Sequence, residues 1–180
     1  MKKYIVLTIF LLLASFFTIA LSGCSKFKKE ENLSDLEMIK KRGYLIVGVK
    51  VDSPPFGFYK DGKIVGIDVE LAQNIANNIF KNNSPEHIQF VPVNAQNRIA
   101  KLNSKEVDIL VATMSVNEKR KLIMDFSTPY FVANQKIMVK KNSKISHLQY
   151  FNSSGRLAVV MGTTGEKISR LIAPNARFVG

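Results

Sequence analysis

Residues 44–49 read Tyr-Leu-Ile-Val-Gly-Val, a short and almost continuously apolar run that is rich in residues favoured in β-strands. Pro54-Pro55 ends this predicted strand, and Lys60-Asp61-Gly62-Lys63 predicts the turn of a small hairpin. Further along the chain, strand patterns alternate with helical periods: a helix at 68–80, a strand at 88–93, a helix at 96–102 and a strand at 107–112. This alternation predicts an α/β fold with a largely parallel sheet.

Shorter elements flank this series. Before it, Ser34-Asp35-Leu36-Glu37 has the form of a capping box and predicts a short helix that stops at Gly43. After it, a second stretch begins near Asn134 with five predicted elements: a strand at 136–140, a short helix at 145–151, a strand at 156–161, a helix at 166–172 and a strand that begins at 178–179. Gly162-Thr163-Thr164-Gly165 leads into the last helix, whose first N–H groups and dipole favour an anion.

The N-terminus has the layout of a secretory signal. Met1-Lys2-Lys3 is basic, residues 4–21 are almost continuously apolar, and Leu21-Ser22-Gly23 precedes Cys24, the single cysteine. The alternative is a transmembrane anchor, because the apolar run is about long enough to span a bilayer. We favour a signal peptide at 1–23 and lipidation of Cys24, since Leu-Ser-Gly-Cys resembles the lipobox of bacterial lipoproteins. Residues 24–33 predict a flexible tether, so a lipid would anchor the folded part to the extracytoplasmic face of the cell membrane.

The formal net charge of +12 comes mostly from scattered lysines. In a cytosolic protein this balance would suggest nucleic acid, but export and the scarcity of aromatic residues among the lysines argue against that partner. We interpret the lysines as a solvated surface whose field modestly favours anionic ligands. With one cysteine no intramolecular disulfide can form, so the fold must depend on its core.

Seven short segments of the chain, taken together with their order and spacing, carry a resemblance to a known family. They are Leu-Ile-Val-Gly-Val-Lys at 45–50, Pro-Pro-Phe-Gly-Phe at 54–58, Gly-Ile-Asp-Val-Glu-Leu-Ala at 66–72, Arg-Ile-Ala-Lys-Leu-Asn-Ser at 98–104, Val-Asp-Ile-Leu-Val-Ala-Thr-Met-Ser-Val-Asn-Glu-Lys-Arg at 107–120, Asp-Phe-Ser-Thr-Pro-Tyr-Phe at 125–131 and Gly-Thr-Thr at 162–164. Together they resemble the polar amino-acid family of bacterial extracellular solute-binding proteins, over nearly everything after the tether.

The resemblance implies two α/β lobes that are joined by two crossing strands, with the ligand in the cleft between them. On that basis we expect lobe one at 34–133, only the first part of lobe two at 134–180, and a hinge near 131–135. A full family member would complete lobe two and return to lobe one. The implied function is extracellular binding of a small amino acid and its delivery to the permease and ATPase of an ABC importer, by a monomer without a cofactor.

The resemblance also implies which residues hold the α-carboxylate of the ligand. Arg120 follows Thr113 and Ser115 in a Thr-x-Ser-x-x-x-x-Arg segment, and its guanidinium would bind the carboxylate bidentately while the hydroxyls add donors. Thr164 would face the cleft at the start of the last helix. The family's aspartate for the ammonium group would lie beyond position 180, so we expect the 180-residue chain alone to bind weakly or not at all.

Lys50 and Arg98 decide the expected ligand. Family members similar to this chain in Val49-Lys50 and Asn97-Arg98 use those two cations for a side-chain carboxylate, whereas members for histidine or glutamine typically carry an acidic residue in place of Lys50. Two cations together with Arg120 in one cleft would be unfavourable unless an anion with two negative groups neutralises them. We therefore expect glutamate or aspartate, with glutamine as the alternative ligand.

Two other classes of function were compared with ligand binding. An enzyme is one alternative, because a few dehydratases resemble this fold. His87 and His147 have no partner motif nearby, and no metal-binding or nucleophile motif occurs, so we predict no catalytic residues and no metal site. A sensory module that signals to a membrane kinase is the other alternative, and its kinase is not found in the sequence.

Overall fold

A computed structural model describes residues 33–153 and 155–180. The predicted signal peptide at 1–23, the lipidation site Cys24 and the tether up to residue 32 lie outside the described residues. In chain order, the described helices and strands are α1 (Asp35–Arg42), β1 (Leu45–Lys50), β2 (Asp52–Ser53), β3 (Gly57–Lys60), β4 (Lys63–Val65), α2 (Ile67–Phe80), β5 (Ile88–Val93), α3 (Arg98–Asn103), β6 (Ile109–Val111), α4 (Glu118–Lys121), β7 (Arg156–Ala158), α5 (Thr164–Ile172) and β8 (Arg177–Val179). Short 3-10 helices lie at Pro85–His87 and Leu148–Asn152.

The main sheet contains three parallel strands in the order β5-β1-β6. β1 lies in the middle and is the most buried of the three strands: Leu45, Val47 and Val49 are at most 1% exposed. α2 packs against the sheet through the fully buried Ala72 and Ala76, whose small side chains bring the helix close to β1. The predicted α/β arrangement with a parallel sheet is therefore confirmed, and the apolar run at 44–49 is its central strand.

A second sheet is antiparallel, in the order β2-β3-β4. The hairpin between β3 and β4 turns at Asp61 and Gly62, whose φ angles of 51° and 74° are both left-handed. Two consecutive left-handed residues form the tight turn that matches the twist of paired strands, and aspartate followed by glycine suits it. The predicted hairpin is confirmed.

The second stretch of the chain differs more from the sequence prediction. The prediction of a strand at 136–140 is wrong, because these residues form no regular element and Met138 is 98% exposed. A strand depends on a neighbour for its backbone hydrogen bonds, and within the described residues none pairs with this segment. The helix predicted at 145–151 is instead the 3-10 turn Leu148–Asn152, and the strand predicted at 156–161 is only β7.

The last helix and strand agree with the prediction. α5 begins at Thr164 after Thr163, whose Oγ1 caps the helix by accepting a hydrogen bond from the backbone N–H of Glu166 at 3.2 Å. β8 pairs with β7 in parallel. Within the described ranges, no helix has the length and apolar character that crossing a bilayer requires. The division into lobes at residues 133 and 134 stays a prediction.

Candidate functional site

The carboxyl ends of the parallel strands bring three predicted site residues to one edge of the main sheet. Lys50 is the last residue of β1, Thr113 follows β6 by two residues, and Arg98 opens α3 after β5. Open α/β sheets commonly bind ligands at this edge. The position of these residues therefore follows from the strand order β5-β1-β6.

Arg98 is a buried cation whose partners are neutral. Its side chain belongs to a residue that is 3% exposed, and Nη1 donates to the carbonyl of Ala112 at 2.6 Å. Its Nε has no hydrogen-bond partner among the described residues. Burial lowers the pKa of the Arg98 guanidinium to about 10, and the positive charge of the neighbouring Arg120 contributes to this shift.

Arg120 is the second buried cation. It lies in the one-turn helix α4, where Asn117 caps the helix by accepting a hydrogen bond from the backbone N–H of Arg120 at 3.0 Å. Its Nη1 donates to the carbonyl of Ser115 at 2.7 Å, and its Nη2 donates to the carbonyl of Gly162 at 3.1 Å. The residue is 8% exposed, and burial lowers the pKa of its guanidinium.

Predicted hydroxyl groups lie in or next to the segments whose carbonyls hold this guanidinium. Ser115 Oγ and Thr164 Oγ1 are 3.3 Å apart and form a hydrogen bond, so the predicted hydroxyls of Ser115 and Thr164 meet at the start of α5. Thr113 has a φ of 46°, a left-handed conformation that is rare for a β-branched residue. Such strain concentrates at binding and catalytic sites, because the surrounding structure must maintain it.

Lys50 is paired within the protein. Its Nζ donates to Ser53 Oγ at 2.5 Å and lies 3.1 Å from Asp52 Oδ1, and its side chain is 13% exposed. Slight burial raises the pKa of the Asp52 carboxyl, but the hydrogen bond and charge of Lys50 outweigh this and hold the pKa below its usual value. The negative charge of Asp52 also acts on Arg98. We call Lys50, Arg98 and Arg120 the cation cluster, because Asp52 pairs with Lys50 and its charge, like that of Arg120, acts on Arg98.

The sequence interpretation missed one pair of this region, Asp68 and Tyr130. Asp68 is completely buried, its Oδ1 accepts a hydrogen bond from the Tyr130 hydroxyl at 2.9 Å, and its Oδ2 has no partner among the described residues. Burial raises the pKa of Asp68. The Tyr130 hydrogen bond, the nearby backbone of Thr113 and the charge of Lys50 act in the opposite direction and partly offset this rise. Burial and the charge of Asp68 raise the pKa of Tyr130.

The sequence did contain a signal for Asp68. It precedes Ala72 by four residues and Ala76 by eight, so it lies on the buried face of α2. A carboxylate on an apolar helix face requires a partner, and that requirement would have directed attention to a hydroxyl or a cation elsewhere.

Other polar features of the structure lie apart from this cluster. A surface cavity of about 440 Å³ is lined by Lys81 and by asparagines of α2 and the following loop, and a groove of about 400 Å³ includes His147. Neither is lined by the predicted site residues.

His87 has a structural role. It stacks on Phe80 and donates from Nδ1 to the carbonyl of Gly43 at 2.6 Å, so it connects the loop after α2 to the end of α1. Within the described ranges, no three potential metal ligands among His, Cys, Asp and Glu lie together.

Comparison with known proteins identifies the family. Residues 45–173 match the bacterial extracellular solute-binding proteins, family 3, and the chain belongs to this family. The predicted family is therefore confirmed.

Two relatives illustrate the range of ligands among similar proteins. The chain is 35% identical over 175 residues to the glutamine-binding protein of Geobacillus stearothermophilus, with 89% of this chain and 66% of that protein covered. It is 29% identical over 136 residues to the glutamate/aspartate import solute-binding protein of Escherichia coli strain K12, with 74% of this chain and 45% of that protein covered. The chain thus spans two thirds or less of the length of these relatives.

A solved structure supports the fold. The crystal structure of the ancestral amino acid-binding protein AncCDT-1, a precursor of cyclohexadienyl dehydratase, superposes with a TM-score of 0.74 at 34% identity. The match covers 81% of this chain and 64% of that chain. The predicted class, an α/β fold of the two-lobed periplasmic-binding-protein type, is confirmed, and the described residues form part of it.

Proposed function

We propose that the protein binds an acidic amino acid, glutamate or aspartate, outside the cell and delivers it to the permease and ATPase of an ABC importer. The observation that best supports this proposal is the state of Arg98 and Arg120. They are 3% and 8% exposed, and neither forms an ion pair with a carboxylate within residues 33–153 and 155–180. Buried charges are normally paired, so two buried guanidiniums with only carbonyl partners favour an anionic guest.

In the proposed complex, Arg120 holds the α-carboxylate. A guanidinium has five N–H groups, and the carbonyls of Ser115 and Gly162 each take one, which leaves donors for a carboxylate. The hydroxyls of Thr113, Ser115 and Thr164 would add hydrogen bonds on the same side. Each charge-assisted hydrogen bond contributes about 1.5–3 kcal/mol, so a few of them supply much of the roughly 8 kcal/mol of a micromolar complex.

The side-chain carboxylate of the ligand would interact with Lys50 and Arg98. The N-terminal residues 1–24 support export and lipid anchoring, which would keep the binding part next to the importer at the extracytoplasmic face of the membrane. We propose lobe one at 34–133 and part of lobe two at 134–180, with closure about a hinge near 131–135.

Glutamine is a second candidate ligand, and two observations favour it. A glutamine-binding protein is among the most similar relatives. In addition, Asp52 already pairs with Lys50, so Lys50 is less available to an anion than the sequence suggests. A neutral amide needs no cation, and the Arg120 site would serve the α-carboxylate of either ligand.

Ligand titrations followed by NMR, which also measure millimolar affinities, test the proposal on the full 180-residue chain in detergent. We expect L-glutamate or L-aspartate to bind more tightly than L-glutamine and L-arginine. Replacing Lys50 by Ala or Arg98 by Met should weaken the binding of glutamate by about ten- to a hundredfold, because each change removes a charge-assisted contact. The binding of glutamine should weaken much less. Lys63→Ala, an exposed cation of β4, is the matched control.

Three results would contradict the proposal. Unchanged ligand preference in the Lys50 and Arg98 variants would remove the acidic assignment. Binding of glutamine alone would select the second candidate. Turnover of a prephenate-like substrate would indicate a dehydratase instead of a binding protein.

A further inference from the structure

Asp52 occupies an unusual position for a carboxylate near an anion site. It lies in β2, two residues after Lys50, and its side chain is 62% exposed. Ser53 connects the two residues: its Oγ accepts from Lys50 Nζ at 2.5 Å and donates to Asp52 Oδ1 at 3.1 Å. Lys50, Ser53 and Asp52 therefore form a closed triangle of contacts at the end of β1.

The same carboxylate influences a second cation of the cluster. The charge of Asp52 acts to raise the pKa of Arg98, opposite to the effect of burial and of Arg120. Asp52 is accordingly the carboxylate that partly neutralises both of the cations to which we assign the ligand's side chain. It does so from a solvent-exposed position, so its attraction is screened and it can be displaced.

We propose that Asp52 competes with the ligand's side-chain carboxylate for Lys50 and thereby sets the preference between glutamate and glutamine. This inference rests on the proposed function, because it concerns the same site. A glutamate side chain that approaches Lys50 meets the negative charge of Asp52 and must share or replace its contact. A glutamine side chain carries no charge and is not repelled. Asp52 thus narrows the advantage that Lys50 and Arg98 give to an acidic ligand.

The test compares Asp52→Asn with the parent chain in titrations with L-glutamate and L-glutamine. Asparagine keeps the size and a hydrogen-bonding oxygen but removes the charge. Asp61→Asn is the matched control, because Asp61 lies at the turn of the same antiparallel sheet, is exposed, and has a left-handed φ that asparagine tolerates. We expect the Kd for glutamate to fall about three- to fivefold in Asp52→Asn, the size expected for a screened charge pair, and the Kd for glutamine to stay within about 1.5-fold. Asp61→Asn should change neither.

The outcomes separate this inference from the proposed function. If the parent prefers glutamate and Asp52→Asn leaves that preference unchanged or weakens it, the competition is refuted while the function stands. An equal gain for both ligands also refutes it, since Asp52 would then act on the site as a whole. If the parent binds glutamine at tens of millimolar but not glutamate, the acidic assignment of the proposed function fails and this inference fails with it.

Discussion

Replacing Tyr130 by Phe removes a hydrogen bond from a carboxyl group that has no access to solvent. Asp68 is 0% exposed, and the Tyr130 hydroxyl at 2.9 Å is its partner, while Oδ2 has none within the described ranges. Phenylalanine keeps the ring, so the change creates almost no cavity. A hydrogen bond to a charged group contributes about 1.5–3 kcal/mol, and we expect the free energy of unfolding to fall by that amount at pH 8.

The pH dependence of this loss follows from the direction of the pKa shift. Burial raises the folded-state pKa of Asp68 above the ordinary value of about 3.9, so the folded chain binds more protons than the unfolded chain between those two values. Through that window the contribution of Asp68 to stability falls as the pH rises. The Tyr130 hydrogen bond lowers the pKa, so its removal raises the pKa further and extends the window upward. The difference between variant and parent therefore grows with pH.

Urea unfolding followed by circular dichroism at pH 4 and pH 8 measures both quantities. At pH 4 a larger fraction of the carboxyl groups is protonated than at pH 8, so the loss should fall toward that of a neutral hydrogen bond, about 0.5–1.5 kcal/mol. Tyr59→Phe is the matched control, because Tyr59 is 54% exposed, and we expect its effect to stay within about 0.5 kcal/mol. Equal losses for the two tyrosine variants, or a Tyr130→Phe loss that does not change between the two pH values, would refute the reasoning.

Two further predictions concern a close backbone contact and a helix cap. Gly57→Ala would place a Cβ 2.1 Å from the Lys50 carbonyl oxygen, so β3 must move away from β1, and we expect a loss of about 1–3 kcal/mol in urea unfolding. Gly62→Asn, with open space and a left-handed φ that asparagine accepts, should be nearly neutral, and equal losses for the two variants would contradict the steric argument. Thr163→Ala removes the hydrogen bond that caps α5 at the N–H of Glu166 and should lower the free energy of unfolding by about 1 kcal/mol, whereas Thr163→Ser should restore it; an equal loss in both variants would speak against the cap.

The elements that the sequence predicted well are those whose patterns are local. The central strand at 44–49 is apolar on both faces, and the Asp61-Gly62 turn requires only the backbone freedom of two residues. The strand predicted at 136–140 failed because its residues have suitable propensities but no pairing neighbour in the described structure. Propensity is a weak guide where the partner strand decides the outcome.

In the candidate site, too, contacts between distant segments were harder to predict than local features. The resemblance to the solute-binding family implied an anion site at Lys50, Arg98 and Arg120, and the order of the parallel strands places the first two at one sheet edge. Which carbonyls accept from the guanidiniums could not be predicted, because the Arg120 contact with Gly162 joins segments 42 residues apart. The pairing of Lys50 with Asp52 is local, yet it depends on how β1 passes into β2.

The neutral partners of the guanidiniums would allow this cluster to bind and release an anion, as the proposed function requires. A permanent carboxylate beside Arg98 and Arg120 would satisfy both charges and would exclude a ligand. Carbonyl groups hold the two side chains in place without neutralising them, and burial lowers the pKa values of both guanidiniums. An anion that binds there would gain affinity from a geometry that is already formed. Asp52 supplies a partial and exposed counter-charge to Lys50, and it would leave room for ligand exchange.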